Sequence, residues 1–151
     1  MPELPEVETV KESLKLKLIG KTIRSVNILW DNIIAYPSKE EFAIGIGNKT
    51  ITDIKRRGKF LMFDLDECYL LSHLRMEGKY FFRNHDEDIN KHEHVIFDLG
   101  DNEELRYMDT RKFGKMYLIK KDEIDSIGPL KDLGLDIDVE ENGKTFKEGD
   151  Y

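Results

Sequence analysis

A chain of 151 residues has room for one domain with a real core and barely room for two. Apolar residues make up 39% and charged residues 36%, and eight Phe, six Tyr and one Trp argue against a disordered chain. No run approaches the roughly 18 apolar residues of a membrane span, the start has no secretory pattern, and the single cysteine, Cys68, excludes an internal disulfide and a cysteine-built zinc site. The expected location is the cytoplasm. Taken alone, the net charge of −7 argues against a nucleic-acid partner. Its distribution argues otherwise. Residues 121–151 hold four basic and ten acidic side chains, a net of −6, which leaves −1 for residues 1–120 and room there for a cationic patch.

In chain order, the first element reads as a helix, with Val7, Val10, Leu14 and Leu18 on one apolar stripe. Pro5 suits a first turn, Glu6 and Glu8 suit the positive end of the helix dipole, and Gly20 supplies a stop. The run 24–30 then alternates, with Val26, Ile28 and Trp30 on one face, and 38–42 resembles a capping box that opens a short helix. Further strands are expected at 50–55, 60–65, 69–74, 79–82, 94–99, 104–108 and 115–119, with turns at 66–67 and 76–78. The predicted class is α+β, mostly β: an eight-stranded β-sandwich or flattened barrel with the N-terminal helix packed against it. Residues 1–136 form the expected domain, and 137–151, without periodicity, read as a linker or tail.

Chemistry concentrates at the N-terminus. Removal of Met1 would expose the secondary amine of Pro2, and an α-amino group has a pKa near 8, so a useful fraction is unprotonated at neutral pH. Such an amine attacking an aldehyde-level carbon forms a cationic iminium, an electron sink for elimination. Glu3 and Glu6 are close enough in sequence to serve as acid and base. The same residues also suit an ordinary helix entry, and composition alone favours that reading. Lys55, Arg56, Arg57 and Lys59 flank Gly58, a pattern that fits either a phosphate-binding turn or a solvated edge strand. His92 and His94 share a strand face but lack a third ligand, so no metal site is expected.

The opening Pro2-Glu3-Leu4-Pro5-Glu6-Val7-Glu8-Thr9-Val10 resembles that of formamidopyrimidine-DNA glycosylase. The likeness continues through 55–61, through His73-Leu74-Arg75-Met76-Glu77-Gly78-Lys79-Tyr80, and through Asp109-Thr110-Arg111-Lys112-Phe113-Gly114. It implies base-excision repair: a bifunctional glycosylase and abasic-site lyase that removes oxidised purines, 8-oxoguanine and formamidopyrimidines, and then nicks the strand by β- and δ-elimination. On that resemblance Pro2 is the nucleophile, Glu3 the acid/base group, Glu6 a supporting carboxylate and Lys59 a cation near the lesion. Arg57 and His73 would meet phosphate, while Met76, Arg111 and Phe113 would fill the gap left by a flipped nucleotide. The implied partner is damaged double-stranded DNA, bound by a monomer. The family continues into a helix–two-turn–helix domain and a zinc finger; this sequence stops before both, so no cofactor is expected within it. The competing expectation is a non-enzymatic β-sandwich that needs a second chain or a C-terminal half.

Overall fold

The computed structural model describes residues 4–75 and 77–126, with Leu4 and Pro5 described by backbone alone. Helix α1 (Leu4–Leu18) carries acidic Glu6 in its first turn and Lys15 and Lys17 in its last, matching its dipole at both ends. Its buried stripe is Val7, Lys11, Leu14 and Leu18, with Val10 packed at the margin. Gly20, at φ +91°, then turns the chain away and donates its N–H to the Ile51 carbonyl at 2.8 Å.

Eleven strands follow among the described residues: β1 (Thr22–Ile23), β2 (Ser25–Ile28), β3 (Ile34–Tyr36), β4 (Lys49–Thr50), β5 (Asp53–Arg57), β6 (Phe60–Asp64), β7 (Cys68–His73), β8 (Lys79–Asn84), β9 (Glu93–Gly100), β10 (Glu103–Met108) and β11 (Lys115–Lys120). Helix α2 (Lys39–Ile46) is capped by Ser38, whose hydroxyl accepts the Glu41 N–H at 3.1 Å. All eight strands expected from the sequence are present. The three additional ones, β1, β3 and β4, have two or three residues each, too few for alternation to show.

The strands form a four-stranded sheet in the order β2-β9-β10-β8, a five-stranded sheet in the order β3-β11-β7-β6-β5, and the short ribbon β1-β4. Every pairing is antiparallel except β3 with β11. The sheets stay open, so the sandwich expectation holds and the barrel does not. Leu61, Phe63 and Leu70 of one sheet meet Val95, Phe97, Leu105 and Tyr107 of the other, and α1 closes that core with Val7, Leu14 and Leu18. On the opposite face of the five-stranded sheet, Met62, Leu71, Ile119 and Ile124 make a second cluster. Burial on both faces explains why β6 reads as a continuous apolar run rather than an alternating one. The expected boundary at residue 136 and the tail 137–151 lie outside the described residues.

Candidate functional site

Cross-strand register brings Phe60, His73 and Lys115 together at one end of the five-stranded sheet. The β5–β6 turn at this end consists of Gly58, in the left-handed region at φ +60°, and Lys59. Glu8 of α1 reaches the same hairpin: its Oε1 accepts from Arg56 Nε at 2.8 Å, and Arg56 Nη1 donates to the Gly58 carbonyl at 3.2 Å. The start of the helix is thereby tied to the turn that carries Lys59.

His73 is held in one tautomer. The Arg75 N–H donates to His73 Nδ1 at 3.1 Å, so the ring proton sits on Nε2 and remains available as a donor. The ring edge packs against Phe60, with centroids 4.7 Å apart at 84°. Burial, reinforced by the nearby charges of Arg75 and Lys59, pushes the His73 pKa down to about 4. The histidine is therefore neutral at physiological pH, suited to contact an anion by hydrogen bonding rather than by charge.

Strand alternation divides the run of cations at 55–59. Ile54 and Arg56 point inward, while Lys55 and Arg57 lie half-buried on the other face. Arg56 is buried and ion-paired to Glu8. Arg57 Nη2 lies 3.5 Å from Asp125 Oδ1, and its Nε is buried with no hydrogen-bond partner. The run does not form one patch on a single face, because Arg56 turns inward while Lys55 and Arg57 turn outward. Lys59, in the turn itself, is the member presented at the sheet end.

The segment 109–114 closes the same end. Arg111 is half exposed, with Nε 3.2 Å from Glu77 Oε2, and Phe113 leaves 52% of its surface in water. Lys112, at φ +62°, places its ammonium 4.1 Å from the centre of the Trp30 ring, and Lys115 Nζ donates to the Asn32 carbonyl at 2.9 Å. Buried Asp109 organises the loop from within, accepting hydrogen bonds from the backbone of Arg111, Lys112 and Gly114. Its motif was visible in sequence, but nothing there revealed that the carboxylate points inward.

Of the residues expected at a site, Lys59, His73, Arg111 and Phe113 gather at this end, Glu6 is exposed in the first turn of α1, and Arg57 lies on the outer sheet face. Pro2, Glu3 and Met76 lie outside the described residues. Lys11, which the sequence reading left aside, is buried on the apolar stripe with Nζ 2.7 Å from Glu8 Oε2 and 3.2 Å from Glu12 Oε2. Its position four residues after Val7 was the available signal. His94 is buried and donates from Nε2 to the Asp109 carbonyl at 2.6 Å, which removes that nitrogen from any pairing with His92. No cluster of potential metal ligands occurs among the described residues.

A cavity of about 870 Å³ lies elsewhere, at the opposite end of β7 and β11, lined by Tyr36, Lys49, Glu67, Cys68, Leu118 and Lys120 among others. Cys68 and His73 end the same strand, roughly 17 Å apart at the usual strand rise. Lys49 and Glu67 in its wall pair at 2.7 Å, and burial pushes the Cys68 thiol up, away from reactivity. Lys59, His73 and the Arg111–Phe113 loop are at the other end.

Helix, open sandwich and end-face together make a domain that presents cations and an exposed aromatic at one end of its five-stranded sheet. Residues 1–116 match the formamidopyrimidine-DNA glycosylase N-terminal domain model, and the chain belongs to that family. The formamidopyrimidine-DNA glycosylase of Bacillus licheniformis is 53% identical over 135 residues, 89% of this chain and 49% of that one; its Bacillus subtilis counterpart is 53% identical over 142 residues, 93% and 51%. A crystal structure of Lactococcus lactis Fpg with FAPY-dG-containing DNA aligns with a TM-score of 0.77 at 39% identity, covering 81% of this chain and 46% of that one. The Lactococcus lactis Fpg complex with abasic-site DNA aligns equally well, at 0.77 and 39%, covering 82% and 46%. The chain spans about half the length of the curated relatives it matches. No helix among the described residues is long and apolar enough to cross a membrane.

Proposed function

We propose that this chain is the catalytic N-terminal half of a DNA glycosylase and abasic-site lyase that excises oxidised purines, working as a monomer on damaged duplex DNA in the cytoplasm. One observation carries the reading: the α1 start, the Lys59 turn, neutral His73 and the Arg111–Phe113 loop converge on one end of a sandwich whose family is formamidopyrimidine-DNA glycosylase.

The chemistry follows from a secondary amine. Pro2 nitrogen attacks C1′ of the damaged nucleotide as the C1′–N9 bond breaks, and the departing base takes up a proton. The amine loses its proton to a carboxylate, Glu3 in this reading, with Glu6 supporting it. Opening of the sugar leaves a C1′ iminium, which acidifies the C2′ hydrogen. Removal of that proton expels the 3′ phosphate, and a second elimination expels the 5′ phosphate. Water then hydrolyses the iminium and returns the amine. In this reading Lys59 and the His73 Nε2–H meet phosphate oxygens, while Met76, Arg111 and Phe113 fill the space vacated in the stack. The scheme needs an amine and carboxylates and asks no cofactor of this half.

Borohydride reduction on DNA carrying 8-oxoguanine or an abasic site tests the proposal. A covalent adduct should form with a free Pro2 amine and vanish when one extra residue precedes Pro2, because acylation removes the basic lone pair. Equal trapping by both forms would reject Pro2 and direct attention to Lys59. Absence of any adduct at high protein concentration would favour the non-enzymatic sandwich.

A further inference from the structure

Below the surface of the end-face, one pair of side chains touches both loops. Tyr107, near the end of β10, and Asp109, just after it, are fully buried. Tyr107 Oη donates to Asp109 Oδ2 at 3.1 Å, and the Gly114 N–H donates to the same oxygen at 2.8 Å. Oδ1 accepts from the Arg111 and Lys112 N–H groups at 3.2 and 3.1 Å, and His94 holds the Asp109 carbonyl from behind. All four partners of the carboxylate are donors, so Asp109 serves this site purely as an acceptor. Burial, with the Tyr80 ring and the Asp109 charge behind it, pushes the Tyr107 pKa up and keeps the phenol a donor.

The phenol oxygen occupies the space that two glycines leave open, one in each loop. A Cβ on Gly78 would collide with Tyr107 Oη and stand 2.6 Å from the Leu74 carbonyl oxygen; one on Gly114 would collide with the same Oη and stand 2.9 Å from Tyr107 Cζ. At the surface, the Arg111–Glu77 ion pair joins the same two segments. Glu77 and Gly78 on one side and residues 109–114 on the other thus share an internal contact as well as an external one.

We propose that Tyr107 and Asp109 are positioning residues, a strut that couples Glu77 and Gly78 to residues 109–114 as one rigid unit, so that the side chains of the 109–114 loop meet the duplex at a fixed spacing from the end of β7. The functional meaning rests on the reading above that both segments face the lesion; the mechanical claim does not.

Amide hydrogen exchange on the free protein separates the two claims, since it needs no DNA. Tyr107→Phe keeps the ring and the three backbone bonds to Asp109 but removes the oxygen wedged between the glycines. The Gly78 N–H, bonded to the Leu74 carbonyl at 2.9 Å, should then exchange faster together with Gly114, while amides of the β7–β11 ladder such as Leu70 and Leu118 keep their wild-type rates. Asp109→Asn places an amide NH2 against at least one N–H donor in either orientation, and should accelerate Arg111, Lys112 and Gly114 by at least about tenfold, with Gly78 following. Unchanged Gly78 exchange in Tyr107→Phe would show two independent loops and overturn the strut. An equal acceleration of every amide, ladder included, would show only global destabilisation and overturn it as well. Should Asp109→Asn fail to fold, Tyr107→Phe alone decides the matter.

Discussion

Arg106 is the fully buried cation of β10, and its removal has a calculable cost. Its guanidinium donates to Glu104 Oε1 at 2.9 Å and Glu93 Oε1 at 3.1 Å, and to the carbonyls of Asn84, Glu87 and Asp88 at 3.2, 2.9 and 3.1 Å. Arg106→Met keeps much of the volume and strands both carboxylates. Breaking a buried pair from one side costs about 3–5 kcal/mol. Two features set the value near the lower end. The three carbonyls belong to exposed residues, Asn84 at the end of β8 and Glu87 and Asp88 in the loop after it, and can turn to water, while His85 Nδ1 remains 2.7 Å from Glu104 Oε2, with its pKa raised by that bond and charge. Glu93 is then the stranded group. Urea denaturation followed by circular dichroism should show a loss of about 3 kcal/mol at pH 7 with an unchanged m-value. The sign of the pH response is a sharper check. In the variant a buried charge is left without its partner, and acid that neutralises it removes the penalty, so the deficit shrinks as the solution is acidified. A deficit under about 1 kcal/mol at pH 7, or one that widens with acid, would refute the reasoning.

Two other outcomes can be checked on the same protein. The folded state holds His73 neutral down to about pH 4 while the unfolded chain protonates it near 6.5, so wild type should lose stability as pH falls through that window. His73→Asn, which keeps an acceptor for the Arg75 N–H, should lose less, as thermal melts at pH 7 and pH 5 will show. Phe113→Ala should leave the melting curve within about 0.5 kcal/mol of wild type, since the ring is already half in water, yet weaken binding to abasic-site duplex in a fluorescence-anisotropy titration; unchanged affinity would remove Phe113 from the interface.

The long strands were legible because alternation or a turn residue marked each one, as at Val26 and Ile28 or at Gly58. β1, β3 and β4 were not, because two or three residues carry no period and owe their pairing to tertiary contacts: Thr22 opposite Thr50, and Tyr36 beside Tyr117. The site showed the same division. Lys59, His73, Arg111 and Phe113 sit in motifs that sequence displays directly. Arg56 illustrates what sequence conceals: four neighbouring cations look like one patch until the period of the strand sends one inward to Glu8. Asp109 conceals it differently, since an aspartate beside an arginine in a loop looks solvated, and only the donors around it show that it is buried.

The contact between Lys112 and Trp30 supplies a built-in optical reporter. The chain has one tryptophan, so emission excited beyond the tyrosine absorption band comes from a single indole, and the cation over that indole belongs to the loop carrying Arg111 and Phe113. Any event that lifts Lys112 from the ring, whether a phosphate competing for the ammonium or a rearrangement of the loop, changes the field on the chromophore and its access to a soluble quencher such as iodide. If the end-face is where DNA docks, as proposed, docking changes that emission on the unlabelled protein, with Lys112→Met as the silent control.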